Sequence, residues 1–157
     1  MSLRNTLASL TLLLLTTFSY AGTKVPTSAE DVCPIKIGQS IPSLSLQDIE
    51  GKPYNLNKAV AAKPTVLIFY RGSWCPYCNM YLSDMRHVIP EIRALGIDVL
   101  FLSGDRPELL YDSLEQQVQE DIDGLDYTIL SDANAQASIA LGIAFRAGQR
   151  TIGYVNN

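Results

Sequence analysis

Cysteine is scarce: three residues in 157. That is too few for a disulfide scaffold or a four-cysteine zinc site. No second C-x-x-C pair exists, and only Cys33 and His87 could join Cys75 and Cys78 around a metal. Positive charge is also short. Twelve Lys and Arg face sixteen Asp and Glu, a net charge of -4. A groove that neutralises many phosphates needs the opposite balance, so nucleic acid is not an expected partner. The acidic residues Asp121, Asp123 and Asp126 lack the spacing and closing Glu of a calcium loop and read as a solvated turn. No internal repeat and no low-complexity segment interrupts the chain. What is present suffices for a core: 47% of residues are hydrophobic and 18% charged, over a length typical of one domain.

Residues 1–21 read as a secretory signal peptide. Arg4 gives a positive start, residues 7–18 form an apolar run, and Ser19-Tyr20-Ala21 places small residues three before and just before a cut. The run is too short to span a bilayer comfortably. The expectation is therefore an exported protein, periplasmic or secreted, with no stable membrane insertion once the signal is removed. Exported cysteine pairs meet a thiol-oxidising environment. Residues 22–36 read as a flexible lead-in, and residues 37–157 as the folded domain.

Within that domain, Leu44-Ser45-Leu46 and Asn55-Leu56-Asn57 flank Glu50-Gly51-Lys52 and predict a small hairpin at the domain edge. Val66-Leu67-Ile68-Phe69-Tyr70 is an unbroken apolar run and predicts a parallel strand buried on both faces. Cys78, Leu82, Met85, Ile89 and Ile92 then recur at helical spacing, with Pro76 suited to the first turn and Gly96 to the end. Pro90 is expected to kink or break this helix near His87. Residues 99–102 predict a second buried strand. Ser103 or Asp105 is expected to cap the following helix, which has Pro107 in its first turn and Leu110, Leu114 and Gln117 or Val118 inside. Residues 127–130 predict a third strand. Asp132 is expected to cap a helix over 133–141 that stops at Gly142. Alternating strands and helices predict an α/β domain with a central, mostly parallel sheet flanked by helices.

The chemistry concentrates in Arg71-Gly72-Ser73-Trp74-Cys75-Pro76-Tyr77-Cys78, between a strand end and a helix start. Ligand sites in open α/β sheets lie outside the carboxyl ends of strands. A cysteine just before a helix receives its amide groups and dipole, which favour the thiolate. Cys75 holds that position, and Arg71 adds positive charge nearby. Cys78, one turn on, is placed to attack an oxidised Cys75 and close a local disulfide. Pro76 restricts the backbone between them, and Trp74 is a candidate shield from solvent.

Gly38-Gln39-Ser40-Ile41-Pro42-Ser43-Leu44-Ser45-Leu46, followed by Gly51-Lys52 and Leu56, resembles the opening segment of the peroxiredoxin (alkyl hydroperoxide reductase/thiol-specific antioxidant) family. The strand at 66–70, Cys75-Pro76, residues 99–103 and Leu130-Ser131-Asp132 with Leu141-Gly142-Ile143 resemble its later blocks, in order. The resemblance implies a thioredoxin-like fold in which Cys75 matches the peroxidatic cysteine. It implies attack on hydrogen peroxide or an alkyl hydroperoxide, a sulfenic acid on Cys75, resolution by Cys78 and reduction by a dithiol such as a thioredoxin-like protein. No metal, flavin or nucleotide cofactor is required.

Three departures bear on this. The family usually has Thr three residues before the peroxidatic cysteine, where this chain has Gly72 followed by Ser73. Cys-Pro-Tyr-Cys has the spacing of thioredoxin-like reductases and is the glutaredoxin tetrapeptide, on a scaffold that does not resemble glutaredoxin. The family's late strands, with a helper arginine, are short here, so the C-terminal strands read as truncated. Arg150 is the candidate helper, with an ordinary surface arginine as the alternative. Residues 151–155 are expected to form one short strand. Cys33 is open between a second resolving or intermolecular thiol and an unpaired one. His87 is read as a surface or packing residue rather than a proton relay. Two other functions remain alongside the peroxidase: a thiol–disulfide oxidoreductase acting on protein disulfides, and a non-catalytic binding module or fragment.

Overall fold

The computed structural model describes residues 24–117, 128–147 and 151–154. The proposed signal peptide, the acidic turn, Val118, Tyr127 and Arg150 lie outside them. Among the described residues, seven strands and four α-helices follow in order: β1 Ser45–Asp48, β2 Pro53–Asn55, α1 Leu56–Ala62, β3 Thr65–Tyr70, α2 Pro76–Ala94, β4 Asp98–Ser103, α3 Pro107–Gln117, β5 Thr128–Ser131, α4 Gln136–Ala140, β6 Ala144–Ala147 and β7 Thr151–Tyr154.

Five strands form a mixed sheet in the order β2-β1-β5-β4-β3. β3, β4 and β5 are parallel, whereas β1 runs antiparallel to both β5 and β2. The β1–β2 hairpin is made by its turn. Asp48 Oδ1 accepts hydrogen bonds from the amides of Glu50 and Lys52, and Gly51 takes the left-handed conformation, φ +78°, that the turn needs. β6 and β7 pair antiparallel as a separate ribbon.

The period-two alternation of the sheet divides the core into two layers. Ile68, Tyr70, Val99, Phe101 and Ile129 face α2 and α3, where Leu82, Ile89 and Leu110 meet them. Leu67, Phe69, Leu100, Leu102 and Leu130 face the opposite layer, with Leu44, Leu46, Leu56 and Ala137. β4 is thus apolar on both faces, as its unbroken run predicts. Full burial of each such side chain stabilises the fold by roughly 1.5–3 kcal/mol.

The structure corrects four readings. β3 is not buried on both faces: it stands at the end of the sheet order, only Tyr70 is fully buried, and Val66 is 40% exposed. The apolar run specified a strand but not its rank in the sheet, which follows from β4 taking the position between β3 and β5. Pro90 does not break α2, which runs through all 19 residues. Pro90 and Arg86 are on the exposed side of the helix, while burial of Leu82 and Ile89 holds both halves on the sheet. The hairpin's second strand ends at Asn55, where a helix absent from the sequence reading begins. Asn55 caps it by accepting from the Lys58 amide, and Leu56, Ala59 and Val60 turn inward. Finally, α4 starts at Gln136 rather than at 133, because Ala135 sits in the left-handed region at φ 52°.

Residues 24–36, read as a lead-in, carry a short 3-10 turn over Ala29–Asp31 and run beside β6. The Arg146 amide donates to the Pro26 carbonyl, and the Ile35 amide to the Leu141 carbonyl.

Candidate active site

β3 and β4 run in register to Tyr70 opposite Ser103. Beyond these carboxyl ends the chain makes two loops that touch, 71–75 leading into α2 and 104–106 leading into α3. α2 begins at Pro76, whose missing amide costs nothing in a first turn. Cys75 is therefore the N-cap, extended at φ −94°, ψ 106°. Its side chain makes no capping hydrogen bond, but the amides of Cys78 and Tyr77 in the first turn of α2 favour its thiolate form.

Cys75 is buried, at 3% exposure, and Cys78 is half-buried. The Cys78 thiol donates to Cys75 Sγ across 2.7 Å. This bond, followed by the Cys78 amide, pulls the Cys75 thiol below its ordinary value of 9.0; burial opposes them, and Arg71 and the Tyr77 amide add to the lowering. Cys78 moves the opposite way. Burial raises it first, and its hydrogen bond to Cys75 raises it further. The two thiols are therefore driven apart: Cys75 is made the more acidic and Cys78, within reach of it, the less acidic.

Arg71 lies with its guanidinium carbon 4.7 Å from the centre of the Trp74 ring, a cation–π contact. Trp74 remains 62% exposed, so it borders the site without closing it. A cavity of about 580 Å³ opens on the two sulfurs, walled by Tyr70, Arg71, Tyr77, Tyr81 and Ile143.

The loop is held from the side by Asp105. Its Oδ2 accepts from the Ser73 amide at 2.6 Å and the Ser73 hydroxyl at 2.8 Å. Asn79 Nδ2 donates to the Ser73 carbonyl, and the Cys75 amide to the Gly72 carbonyl. Sequence reasoning offered Asp105 as a helix cap. The carboxylate instead turns to the cysteine loop, 32 residues away in the chain. Its place after a strand that neighbours the site strand was the only signal available.

The structure brings Cys75, Cys78, Arg71, Trp74 and Pro76 together. Cys33 is exposed, and its carbonyl lies against Gly142. His87 is exposed on α2. Arg150 lies outside the described residues, and Arg146 is exposed on β6. Among the described residues, no group of three or more His, Cys, Asp or Glu stands close enough to hold a metal ion.

Residues 37–154 match the AhpC/TSA family. The chain is 30% identical over 110 residues to peroxiredoxin Bcp of Escherichia coli, covering 70% of this chain and 66% of that protein. It thus spans just under two thirds of that relative's length. Over 75 residues it is 28% identical to the thiol-disulfide oxidoreductase ResA of Bacillus anthracis, covering 48% of this chain and 42% of that one. In structure it is similar to peroxidoxin BcpB of Mycobacterium tuberculosis, with a TM-score of 0.64 at 23% identity over 77% of this chain and 74% of that one. With the family match spanning most of the chain and the same fold in its neighbours, this protein belongs to the AhpC/TSA family and is a peroxiredoxin-like protein of the thioredoxin fold.

Proposed function

We propose that the protein is an exported thiol peroxidase. The Cys75 thiolate attacks one oxygen of hydrogen peroxide or an alkyl hydroperoxide. The O–O bond breaks, Cys75 becomes a sulfenic acid, and the departing oxygen takes a proton to leave as water or an alcohol. Cys78 then attacks the Cys75 sulfur. A disulfide forms, and the sulfenic oxygen leaves as water with the Cys78 proton. An external dithiol protein, such as a thioredoxin-like one, reduces the disulfide and becomes oxidised in turn.

The observation that carries this reading is the 2.7 Å approach of the Cys78 thiol to Cys75 Sγ, in an environment that lowers the Cys75 thiol and raises that of Cys78. Resolution then needs no large rearrangement. The likeness to peroxiredoxin Bcp supports it, as does the burial of Cys75 beneath a cavity that suits a small oxidant. Export rests on the features of residues 1–21.

The alternative is thiol–disulfide exchange with proteins. Gly72 in place of the family's Thr, the C-x-x-C spacing and the partial likeness to ResA favour it. The two separate in a stopped-flow experiment on the reduced protein. Trp74 is the only tryptophan and adjoins Cys75. On mixing with hydrogen peroxide, a fluorescence change orders of magnitude faster than that of a simple thiolate supports the peroxidase. A rate like an ordinary thiol's, with rapid reaction toward a protein disulfide, favours exchange.

A further inference from the structure

We infer that Asp105 is the positioning residue of the redox loop: it occupies the space a side chain at 72 would need, clamps Ser73, and so holds Cys75 at the amino end of α2. The inference rests on Cys75 being the site's nucleophile, and it goes beyond the choice of substrate.

Four observations carry it. Asp105 is buried, at 8% exposure, so its carboxylate has the loop rather than water for company. Both polar hydrogens of Ser73 go to one carboxylate oxygen, and the Ser73 carbonyl is taken by Asn79. Every hydrogen-bonding group of Ser73 thus has a partner. Hydrogen bonds to an ionised acceptor are roughly twice as strong as neutral ones. The carboxylate is itself anchored to the sheet: the Asp105 amide donates to Ser103 Oγ, and the Asp105 carbonyl accepts from Ser131 Oγ. Last, a Cβ on Gly72 would lie 2.7 and 2.8 Å from the two carboxylate oxygens and 2.7 Å from Trp74 Nε1, at a backbone φ of +142°. The Asp105 carboxylate, with the Trp74 ring nitrogen, therefore leaves no room for a side chain at the position where the family usually carries Thr.

The consequence for the sulfur is geometric. Only Trp74 separates Ser73 from Cys75. The amides of Tyr77 and Cys78 stabilise the thiolate only if its sulfur stays at the N-cap. Arg71 and Cys78 are the other groups acting on it, and neither touches Asp105 among the contacts described. Asp105 therefore acts through Ser73 and not through its own charge.

The test compares the pH dependence of iodoacetamide alkylation at Cys75, read by mass spectrometry, in Asp105→Ala, Asp105→Asn and Ser73→Ala. The exposed Asp112→Ala serves as control. Asp105→Ala should raise the alkylation midpoint by about one pH unit, an approximately tenfold rate loss below it. Asp105→Asn keeps one acceptor and Ser73→Ala keeps the amide bond, so both should fall between. Gly72→Ala should lose less in an Asp105→Ala background than alone, because backbone strain and overlap with Trp74 Nε1 are common to both and carboxylate overlap is not. If Asp105→Ala fails to fold, the other two variants still decide. Wild-type profiles in every folded variant would overturn the inference. Slow peroxide oxidation of the wild type would overturn the proposed peroxidase but leave this comparison readable, since alkylation reports the thiolate whatever its substrate.

Discussion

Gly142 lies directly beneath the backbone of Cys33: a Cβ built on it would overlap the Cys33 carbonyl oxygen. Its φ of +72° is also one that side chains rarely adopt. One glycine thus ends α4 and lets residues 24–36 lie against the domain. Gly142→Ala should destabilise the protein by about 1–3 kcal/mol, from strain and displacement of the segment. Urea denaturation checks this, and an unchanged midpoint would show that the segment is not held there.

Asn57 ties α1 to the segment that leads into β1. Its Oδ1 accepts from the Leu44 amide at 2.7 Å, and its Nδ2 donates to the carbonyls of Ile41 and Pro42. Asn57→Ala removes all three bonds and should cost about 2–4 kcal/mol. Asn57→Asp keeps the acceptor but not the donor, and should lose less in the same denaturation assay.

Asp132 is buried at 1% exposure and accepts from the amides of Ala137 and Ser138 and from the Ser138 hydroxyl. Burial raises its carboxyl above the ordinary 3.8, and these bonds offset only part of that. A raised carboxyl means that the folded state holds its proton to higher pH than the unfolded chain does. Its contribution to stability is then largest below pH 3.8 and declines as pH rises through the folded value. Asp132→Asn does not titrate. The stability difference between wild type and this variant, followed by denaturation across pH, should therefore shrink as pH rises through that window.

Cys78→Ala removes the largest cause that lowers the Cys75 thiol. The midpoint of Cys75 alkylation should rise toward 9.0, and oxidation by peroxide should stop at a sulfenic acid that a dimedone-type reagent traps. Cys75→Ser should abolish the peroxide reaction. Full activity in that variant would remove Cys75 from the mechanism.

Pro90 sits exposed inside α2 without an amide to return to the Arg86 carbonyl. Pro90→Ala should stabilise the fold by about 1–3 kcal/mol, seen as a higher thermal midpoint. A fall would mean that the proline shapes the helix in a way the sheet requires.

Much of the site was legible because its parts are close in the chain. The stripe through Cys78, Leu82, Met85, Ile89 and Ile92 lies on the core face of α2. Pro76 begins the helix, and Cys75 stands just before it. α1 was missed although Asn55 and the spacing of Leu56, Ala59 and Val60 carry a helix signal, because the hairpin reading had already claimed those residues. Asp105 was misread for a different reason. An aspartate before a helix proline fits a cap, and nothing within ten residues indicates that its partner is Ser73.

Local pattern alone specified the three parallel strands, the long helix α2, the two-faced apolar character of β4 and the N-cap position of Cys75 with Cys78 one turn on. Each follows from backbone periodicity or from groups only a few residues apart. Long-range packing sets β3 at the end of the sheet order, brings Gly142 against Cys33 and lets Asp105 clamp Ser73. These depend on strand order and register, which bring distant segments together and which no local pattern encodes.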